Sequence, residues 1–237
     1  MMLLAIDTST DRTSVALLGD DGLVASASLG VPRSHGAFLA PAIAGCLRSA
    51  GLVASDVTGV AVGLGPGRYT GLRVGIATAQ AFALARDLPT VGRSGLEVIA
   101  SGFRHSGRPI VAVIDARRRE LFRARFVASA GQLETVGEPA VGSIDDLLAE
   151  VAACGPEVLV VGEGALALRS DLEAAGAEVA GPELAWPDAD RLAALARDAF
   201  VRGDTVHAAA LQPIYLRGVD ARIGWETRGR LQGGSAT

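Results

Sequence analysis

The chain has 237 residues, of which 49% are hydrophobic and 20% are charged, and its formal net charge is −4. This composition excludes a disordered chain, and the acidic balance argues against a protein that binds nucleic acid by itself. The sequence contains no lysine, which excludes a Walker-A phosphate loop and Schiff-base chemistry. It opens without a basic leader and has no long apolar run, so we expect a cytoplasmic protein without a membrane segment.

The first part of the chain predicts a three-stranded antiparallel meander followed by two helices and a buried strand. The second and third strands alternate apolar and polar residues around a Gly-Asp-Asp-Gly turn at 19–22, which suits a tight hairpin. In chain order the predicted elements are a strand ending at Asp7, strands over 13–19 and 23–29, a helix over 35–50, a strand over 57–62 and a helix over 71–86.

The same order of elements returns from residue 109, at an offset of about 100 residues. The second set consists of strands over 110–115 and 120–127, a helix over 144–154, a strand over 158–161 and a helix over 165–175. The repeat predicts an α/β protein of two lobes, each a mixed sheet with flanking helices in β-β-β-α-β-α order. This architecture resembles the actin and Hsp70 group; a single doubly wound domain is the structural alternative.

The end of the second half supplies one more helix and a change of composition. A helix is predicted over 189–202 after Trp-Pro-Asp, because proline and aspartate suit a helix start. We therefore expect an N-terminal lobe over 1–104, a C-terminal lobe over 105–217 and a flexible tail over 218–237, where Gly, Arg, Ser and Thr accumulate.

The segment over 63–75, Gly-Leu-Gly-Pro-Gly-Arg-Tyr-Thr-Gly-Leu-Arg-Val-Gly, is the most distinctive motif of the chain. It lies between a predicted buried strand and a predicted helix. Glycines allow a backbone to approach a partner closely, and helix N-termini favour anions. The glycine spacing matches neither the Walker nor the dinucleotide pattern, so a structural turn and an anion site remain equal alternatives.

The helix that follows this motif lacks a polar face, since only Arg73, Thr78 and Gln80 are polar between residues 72 and 85. Such a helix needs cover on two sides. Together with the apolar stripe of the helix over 35–50, it predicts half of a helical bundle that binds a second chain; mutual cover within one chain is the alternative. The predicted partner-binding residues are Leu39, Ile43, Leu47, Leu72, Gly75, Ile76, Ala79 and Ala83.

Two strand-end turns are the other candidate sites. In a two-lobed nucleotide-binding protein the first turn would approach phosphate, which makes Asp7, Thr8 and Ser9 candidate nucleotide-proximal residues. The corresponding second turn carries Arg117, Arg118 and Arg119, which do not suit a phosphate loop. With Arg123 and Arg125 they form a basic cluster that either contacts RNA or an acidic protein surface, or is an ordinary solvated sheet face.

The Gly-Pro-Gly-Arg-Tyr-Thr-Gly-Leu-Arg-Val-Gly segment over 65–75 resembles the signature of the bacterial TsaB (YeaZ) family, which makes threonylcarbamoyladenosine beside the tRNA anticodon. Further blocks match in order over roughly residues 1–217. They are Asp7-Thr8-Ser9-Thr10, Ser34-His35, Ser94-Gly95-Leu96-Glu97, Asp115-Ala116-Arg117 with Glu120, and Pro213-Ile214-Tyr215-Leu216-Arg217. Arg68-Tyr69 departs from the Ser-Phe of many relatives, which could change partner preference.

The resemblance implies a two-lobed actin/Hsp70-like fold and a non-catalytic scaffold subunit without a cofactor. Such a subunit pairs with the catalytic paralogue TsaD through its first two helices, is joined by the ATPase TsaE, forms a homodimer when alone, and meets tRNA only within the complex. TsaD-like proteins bind a metal through an H-x-x-x-H pair, whereas this chain has His35 and Leu39 at those positions. The resemblance therefore implies no catalytic metal.

Two alternatives of other classes stay open at this stage. A small-molecule kinase or phosphatase of the same fold would need Asp7 and Asp115 facing each other across a cleft. A metallopeptidase-like protein would need a bound metal ion, but the three histidines are isolated in the sequence.

Overall fold

Two five-stranded mixed sheets form the framework of a computed structural model that describes residues 1–31 and 34–216. In the first sheet, β1 (Leu3–Asp7), β2 (Thr13–Gly19) and β3 (Gly22–Leu29) are antiparallel neighbours. β4 (Gly59–Gly63) lies parallel to β1, and β5 (Thr90–Arg93) lies parallel to β4. The strand order is β3-β2-β1-β4-β5, so the strand that ends in Asp7 is central.

The second sheet repeats this topology. Its strands are β6 (Pro109–Arg117), β7 (Glu120–Ser129), β8 (Gln132–Gly142), β9 (Leu159–Val161) and β10 (Glu178–Val179). The order β8-β7-β6-β9-β10 matches that of the first sheet, with β6 in the place of β1. The predicted two-lobed α/β repeat is confirmed.

Three strands were not predicted. β5 and β10 contain four and two residues, which is too short for a periodic signal. β8 is an edge strand that contains Gly137 and Pro139 and is mostly exposed, so its pattern resembles a loop. Sequence patterning therefore fails where a strand is short or has little buried surface.

Seven α-helices occur in the described residues; four match their predicted ranges closely, and the one over 95–101 was not predicted. They are α1 (His35–Ser49), α2 (Tyr69–Leu84), α3 (Gly95–Ser101), α4 (Ile144–Cys154), α5 (Glu163–Leu166), α6 (Arg169–Ala174) and α7 (Ala189–Arg202). The single helix predicted over 165–175 is two short helices, because the backbone of Leu168 leaves the helical region between them. No helix of the described segments is long and apolar enough to span a membrane.

Each sheet is covered on both faces, which explains why β1 is apolar throughout. Leu4 and Ile6 of β1 pack against α1 and α2, whereas Leu3 and Ala5 pack against α7. α3 packs on β6 and β7 of the second sheet, and α4, α5 and α6 cover its opposite face. The last helix thus returns to the first sheet. The domain boundary after residue 104 stays a prediction, and the predicted tail over 218–237 lies outside the described residues.

Candidate functional site

The turn after β1 is closed by the carboxylate of Asp7. Its Oδ1 atom accepts hydrogen bonds from the Ser9 backbone N–H at 2.9 Å and from the Ser9 hydroxyl at 2.8 Å. The other carboxylate oxygen, Oδ2, is buried without a hydrogen-bond partner and lies against Gly63 at the end of β4. A Cβ atom on Gly63 would lie 1.8 Å from this oxygen, so only glycine fits there.

Burial controls the ionisation of Asp7. Its side chain is 1% exposed, and the loss of solvent raises its pKa from 3.8 to about 7, although the bonds from Ser9 act in the opposite direction. The negative charge of Asp188 is a smaller cause of the same rise in pKa. The carboxyl group therefore exchanges its proton near neutral pH.

The glycine-rich motif packs directly on this turn, because three of its glycines bring backbone against backbone or against Thr8. A Cβ atom at Gly67 would lie 2.0 Å from the Ser9 carbonyl oxygen, and one at Gly71 would lie 2.2 Å from the Thr8 carbonyl oxygen. The Arg68 N–H donates to the Ser9 carbonyl at 2.8 Å, and the Thr8 hydroxyl donates to the Gly71 carbonyl at 2.7 Å. The motif is therefore a structural joint between β1 and α2.

This joint determines where the candidate nucleotide-proximal residues lie. Asp7, Thr8 and Ser9 are at most 1% exposed, and the glycine-rich loop covers them. A phosphate group would reach them only if that loop moved. Nucleotide proximity stays a prediction for these three residues.

Charged side chains connect the two lobes beside the joint. Asp11, from the turn after β1, forms an ion pair with Arg68 and a second one with Arg117 of the other lobe, at 3.0 Å. Arg117 also pairs with Asp115 at 3.2 Å. Arg117 therefore links the turn after β1 to the turn after β6. These short ion pairs favour a closed arrangement of the two lobes.

The predicted basic cluster divides into two parts with different partners. Arg123 and Arg125 lie on one face of β7 and share the carboxylate of Glu150 on α4, each pairing with one of its oxygens. Arg118 and Arg119 are exposed at the tip of the β6–β7 hairpin, and both have positive φ angles of 56° and 64°. Left-handed turn positions usually carry Asn or Gly, so arginine there is conformationally costly. Contact of this tip with RNA stays a prediction.

The eight predicted partner-binding residues are all buried within the fold of the single chain. Seven of them have side chains that are at most 7% exposed, and the eighth, Gly75, packs against Thr8. They cover the first sheet or the neighbouring helix, because an apolar stripe at helical spacing serves a core as well as an interface. These residues therefore fit the alternative in which the two helices cover each other within one chain.

The outer faces of the same two helices are exposed and consist mostly of small residues. On α1 and α2 this surface, here called the small-residue face, comprises Gly36, Ala37, Ala40, Pro41, Ala44, Ala77, Ala81 and Leu84. Leu84 is 49% exposed. Helix α2 thus has a covered inner side and an uncovered outer side. The small-residue face is part of the exposed surface of α1 and α2 that a partner could contact.

His35 and Leu39, the positions compared above with a metal-binding histidine pair, have other contacts in this structure. The Nδ1 atom of His35 lies 2.6 Å from the hydroxyl oxygen of Thr13, and burial lowers the pKa of the ring, which favours the neutral form. Leu39 is part of the apolar core. In residues 1–31 and 34–216 no group of three or more His, Cys, Asp or Glu residues is arranged to bind a metal ion.

Two acidic residues near the joint were missed by sequence reasoning. Asp188 pairs with Arg12 at 3.1 Å, and burial raises the pKa of its carboxyl group. Glu163 accepts a hydrogen bond from the Asp115 backbone N–H at 3.0 Å, and burial also raises its pKa. Glu163 stands in Gly-Glu-Gly at 162–164 after β9, in the same place of the repeat as Gly-Leu-Gly at 63–65 after β4, and that sequence signal could have identified it.

Comparison with known proteins gives consistent matches. Residues 30–225 match the family model described as TsaD, tRNA N6-adenosine threonylcarbamoyltransferase. The chain is 32% identical over 225 residues to the tRNA threonylcarbamoyladenosine biosynthesis protein TsaB of Escherichia coli, covering 92% of this chain and 95% of that protein. It is also 32% identical over 231 residues to TsaB of Haemophilus influenzae, covering 92% and 94%.

Solved structures agree with these sequence matches. YeaZ from Pseudomonas aeruginosa superposes with a TM-score of 0.74 at 28% identity, covering 91% of this chain and 99% of that one. A Pseudomonas aeruginosa protein described as similar to peptidase YEAZ gives a TM-score of 0.77 at 30% identity, with the same coverage. The two-lobed fold is therefore shared with these proteins over nearly their whole length.

Replacing Gly71 by alanine should destabilise the protein, because the new Cβ atom would clash with the Thr8 backbone. We expect the free energy of unfolding to fall by about 2 kcal/mol, as for other overpacked sites. Gly45 of α1 is the matched control, since a Cβ atom there would meet nothing within 4 Å. Gly45→Ala should be neutral or stabilise the helix by up to about 1 kcal/mol. Urea denaturation measures both, and equal effects would contradict the joint.

The buried Asp7 carboxyl should make stability depend on pH. Between pH 3.8 and about 7 the folded protein holds a proton that the unfolded chain has released. The free energy of unfolding should therefore fall as pH rises, by up to about 1.4 kcal/mol per pH unit, and level off above pH 7. Asp7→Asn should remove the part of this decline that Asp7 contributes, whereas Glu134→Gln, at an exposed position of β8, should leave the decline unchanged. Parallel pH profiles of Asp7→Asn and the unmodified chain, from urea titrations, would refute the assignment.

Proposed function

Because the chain belongs to the TsaB family of tRNA threonylcarbamoyladenosine biosynthesis proteins, we propose that it is a scaffold subunit that docks and supports a TsaD-family catalytic subunit. The assembled complex would place threonylcarbamoyl on the tRNA adenosine next to the anticodon. The chain itself would take no part in the transfer chemistry. The observation that carries this proposal is the small-residue face on α1 and α2.

The small-residue face suits a helix-to-helix contact. Alanine and glycine side chains leave a shallow surface, on which partner helices can approach closely and interlock their ridges. Specific interfaces bury about 800 Å² on each partner, an area that two helices of this length can supply. The buried stripe beneath the face supports docking indirectly, because Leu39, Ile76 and Ala79 hold the two helices in place.

The non-catalytic part of the proposal is supported by the site geometry. The position of the second metal-binding histidine is the core residue Leu39, and His35 is already bonded to Thr13. Asp7, which a kinase or phosphatase of this fold would need, lies beneath the glycine-rich loop. No contact in the described segments favours the kinase or the metallopeptidase alternative.

The remaining partners follow from the same proposal. The ATPase TsaE would join the docked pair, and tRNA would bind only to the assembled complex. Without its partner, the chain would form a homodimer through the same helices, because an uncovered face of this kind pairs with a copy of itself when nothing else is present. The exposed arginines at the β6–β7 hairpin tip are the candidate contact with tRNA phosphates.

Ala81→Arg places a long charged side chain in the middle of the small-residue face and should weaken docking. Ala81 is exposed on α2, so the folded chain tolerates the change. We expect the dissociation constant for the TsaD-family subunit of the same organism to rise about 10-fold to 100-fold, as for an overpacked interface. Isothermal titration calorimetry with the two purified chains provides the measurement.

The matched control for this experiment is Ala149→Arg, an exposed alanine of α4 on the second lobe. Its affinity should equal that of the unmodified chain. Equal binding by Ala81→Arg and Ala149→Arg, with thermal melting showing both folded, would remove the docking assignment.

The double variant Arg118→Ala with Arg119→Ala should weaken tRNA binding by the assembled complex. Each lost phosphate contact lowers the slope of log affinity against log salt by roughly 0.7 to 0.9. Fluorescence anisotropy with labelled tRNA over a salt series measures the slope. Arg202→Gln, at an exposed arginine of α7, is the control. An unaltered slope in the double variant would make the hairpin tip ordinary surface.

A further inference from the structure

The two tyrosines of the chain lie together on the surface. Tyr69 is the first residue of α2, and Tyr215 lies near the end of the described residues. Their ring centroids are 5.8 Å apart with an interplanar angle of 26°, so the rings are stacked. Tyr69 is 54% exposed and Tyr215 is 45% exposed. Both rings are about half exposed, so burial in the core does not account for their stacking.

Arg73 joins the two rings into a three-residue group, here called the tyrosine–arginine cluster. Its guanidinium carbon lies 4.0 Å from the centroid of the Tyr69 ring, and its Nε atom lies 3.5 Å from the Tyr215 hydroxyl oxygen. In residues 1–31 and 34–216, Arg73 has no carboxylate within ion-pair distance, whereas the nearby Arg68 is paired with Asp11. The cluster therefore presents one uncompensated positive charge beside exposed aromatic surface.

Hydrogen bonds hold the segment that carries Tyr215 against the glycine-rich loop and against α2. The Ile214 N–H donates to the Leu64 carbonyl at 2.8 Å, which fixes the segment before Tyr215 on the glycine-rich loop. The Gln80 side chain donates to the carbonyls of Ala208 and Leu211 at 3.2 and 3.3 Å, which ties the same segment to α2. A group positioned in this way loses little conformational entropy when a partner binds.

The cluster continues the small-residue face. Tyr69, Arg73, Ala77 and Ala81 follow one another at four-residue spacing, so they lie on one side of α2. The inner side of the helix carries the buried residues instead. The alanine surface, which a partner helix can approach closely, thus ends at the start of α2 in two tyrosine rings and a guanidinium group. Interfaces concentrate their binding energy in such tyrosine and arginine groups.

We propose that the tyrosine–arginine cluster is the anchor of the docking face and receives a carboxylate flanked by apolar side chains on the TsaD-family subunit. This inference rests on the proposed function and adds the residues that select the partner. A carboxylate would neutralise Arg73, while apolar groups beside it would cover the exposed ring surfaces. A tRNA backbone would need several cations at this place, whereas Arg73 is the single cation of the cluster. A single carboxylate therefore fits the cluster better than a run of phosphates.

The test compares three variants with controls from elsewhere on the surface. Tyr215→Ala removes a ring, Tyr215→Phe removes only its hydroxyl, and Arg73→Gln removes the charge but keeps a polar side chain. The controls are Val201→Ala, at a valine that is 74% exposed on α7, and the neighbouring Arg202→Gln. Calorimetry gives the dissociation constant for the TsaD-family subunit at low and high salt, and thermal melting checks folding.

We expect Tyr215→Ala to weaken binding about 10-fold to 30-fold, the range typical of an interface hot spot. Arg73→Gln should weaken binding about 10-fold at low salt and should flatten the salt dependence, because one charge pair is lost. Tyr215→Phe should retain most of the affinity, and the two controls should bind like the unmodified chain.

The outcomes separate this inference from the docking proposal. If the cluster variants bind normally while Ala81→Arg does not, the anchor is refuted and docking stands. If Ala81→Arg also binds normally, the proposed function itself falls. If the cluster variants reduce only tRNA binding or only self-association, the anchor for the catalytic subunit is likewise overturned.

Discussion

The contact between the buried Asp7 turn and the glycine-rich loop determines how the first lobe is assembled. Asp7 closes its own turn through Ser9, and its second oxygen leaves no room for a side chain at Gly63. Gly67 and Gly71 then bring the loop and the start of α2 against the carbonyls of Ser9 and Thr8. Any larger residue would separate β1 from α2. The glycines at positions 63, 67 and 71 are therefore a packing requirement.

The close approach of α2 at this joint decides which side of the helix is covered. Thr8 receives Gly71 and Gly75, so Ile76, Ala79 and Ala83 face the first sheet and α1. The opposite side, which contains Ala77 and Ala81, is left to solvent. A helix that is apolar on all sides thus serves two purposes. One side stabilises the lobe, and the other offers a shallow surface that a partner can cover.

The two lobes are connected more closely than their repeated topology requires. α7 follows the second sheet in sequence but packs on the first, and α3 packs on the second sheet although it precedes it. Asp11 adds an ionic contact across the lobes through Arg117, next to Arg68. These exchanges resist separation of the lobes, which is consistent with the proposed scaffold role. They also keep the strand-end turns close together and Asp7 beneath the loop.

The sequence by itself determined the two-lobed repeat, most of the order of elements and the family, because buried strands, amphipathic helices and the motif over 65–75 leave local patterns. It also predicted a partner surface on α1 and α2, which stays a prediction. Only the tertiary structure decided which residues of those helices face outward, since Leu39 and Ile76 have the spacing of an interface and of a core alike. Likewise, Tyr69 and Tyr215 meet only after the chain has folded, and Glu150 pairs with Arg123 from another element. Such pairings depend on contacts between distant segments, and no local pattern encodes them.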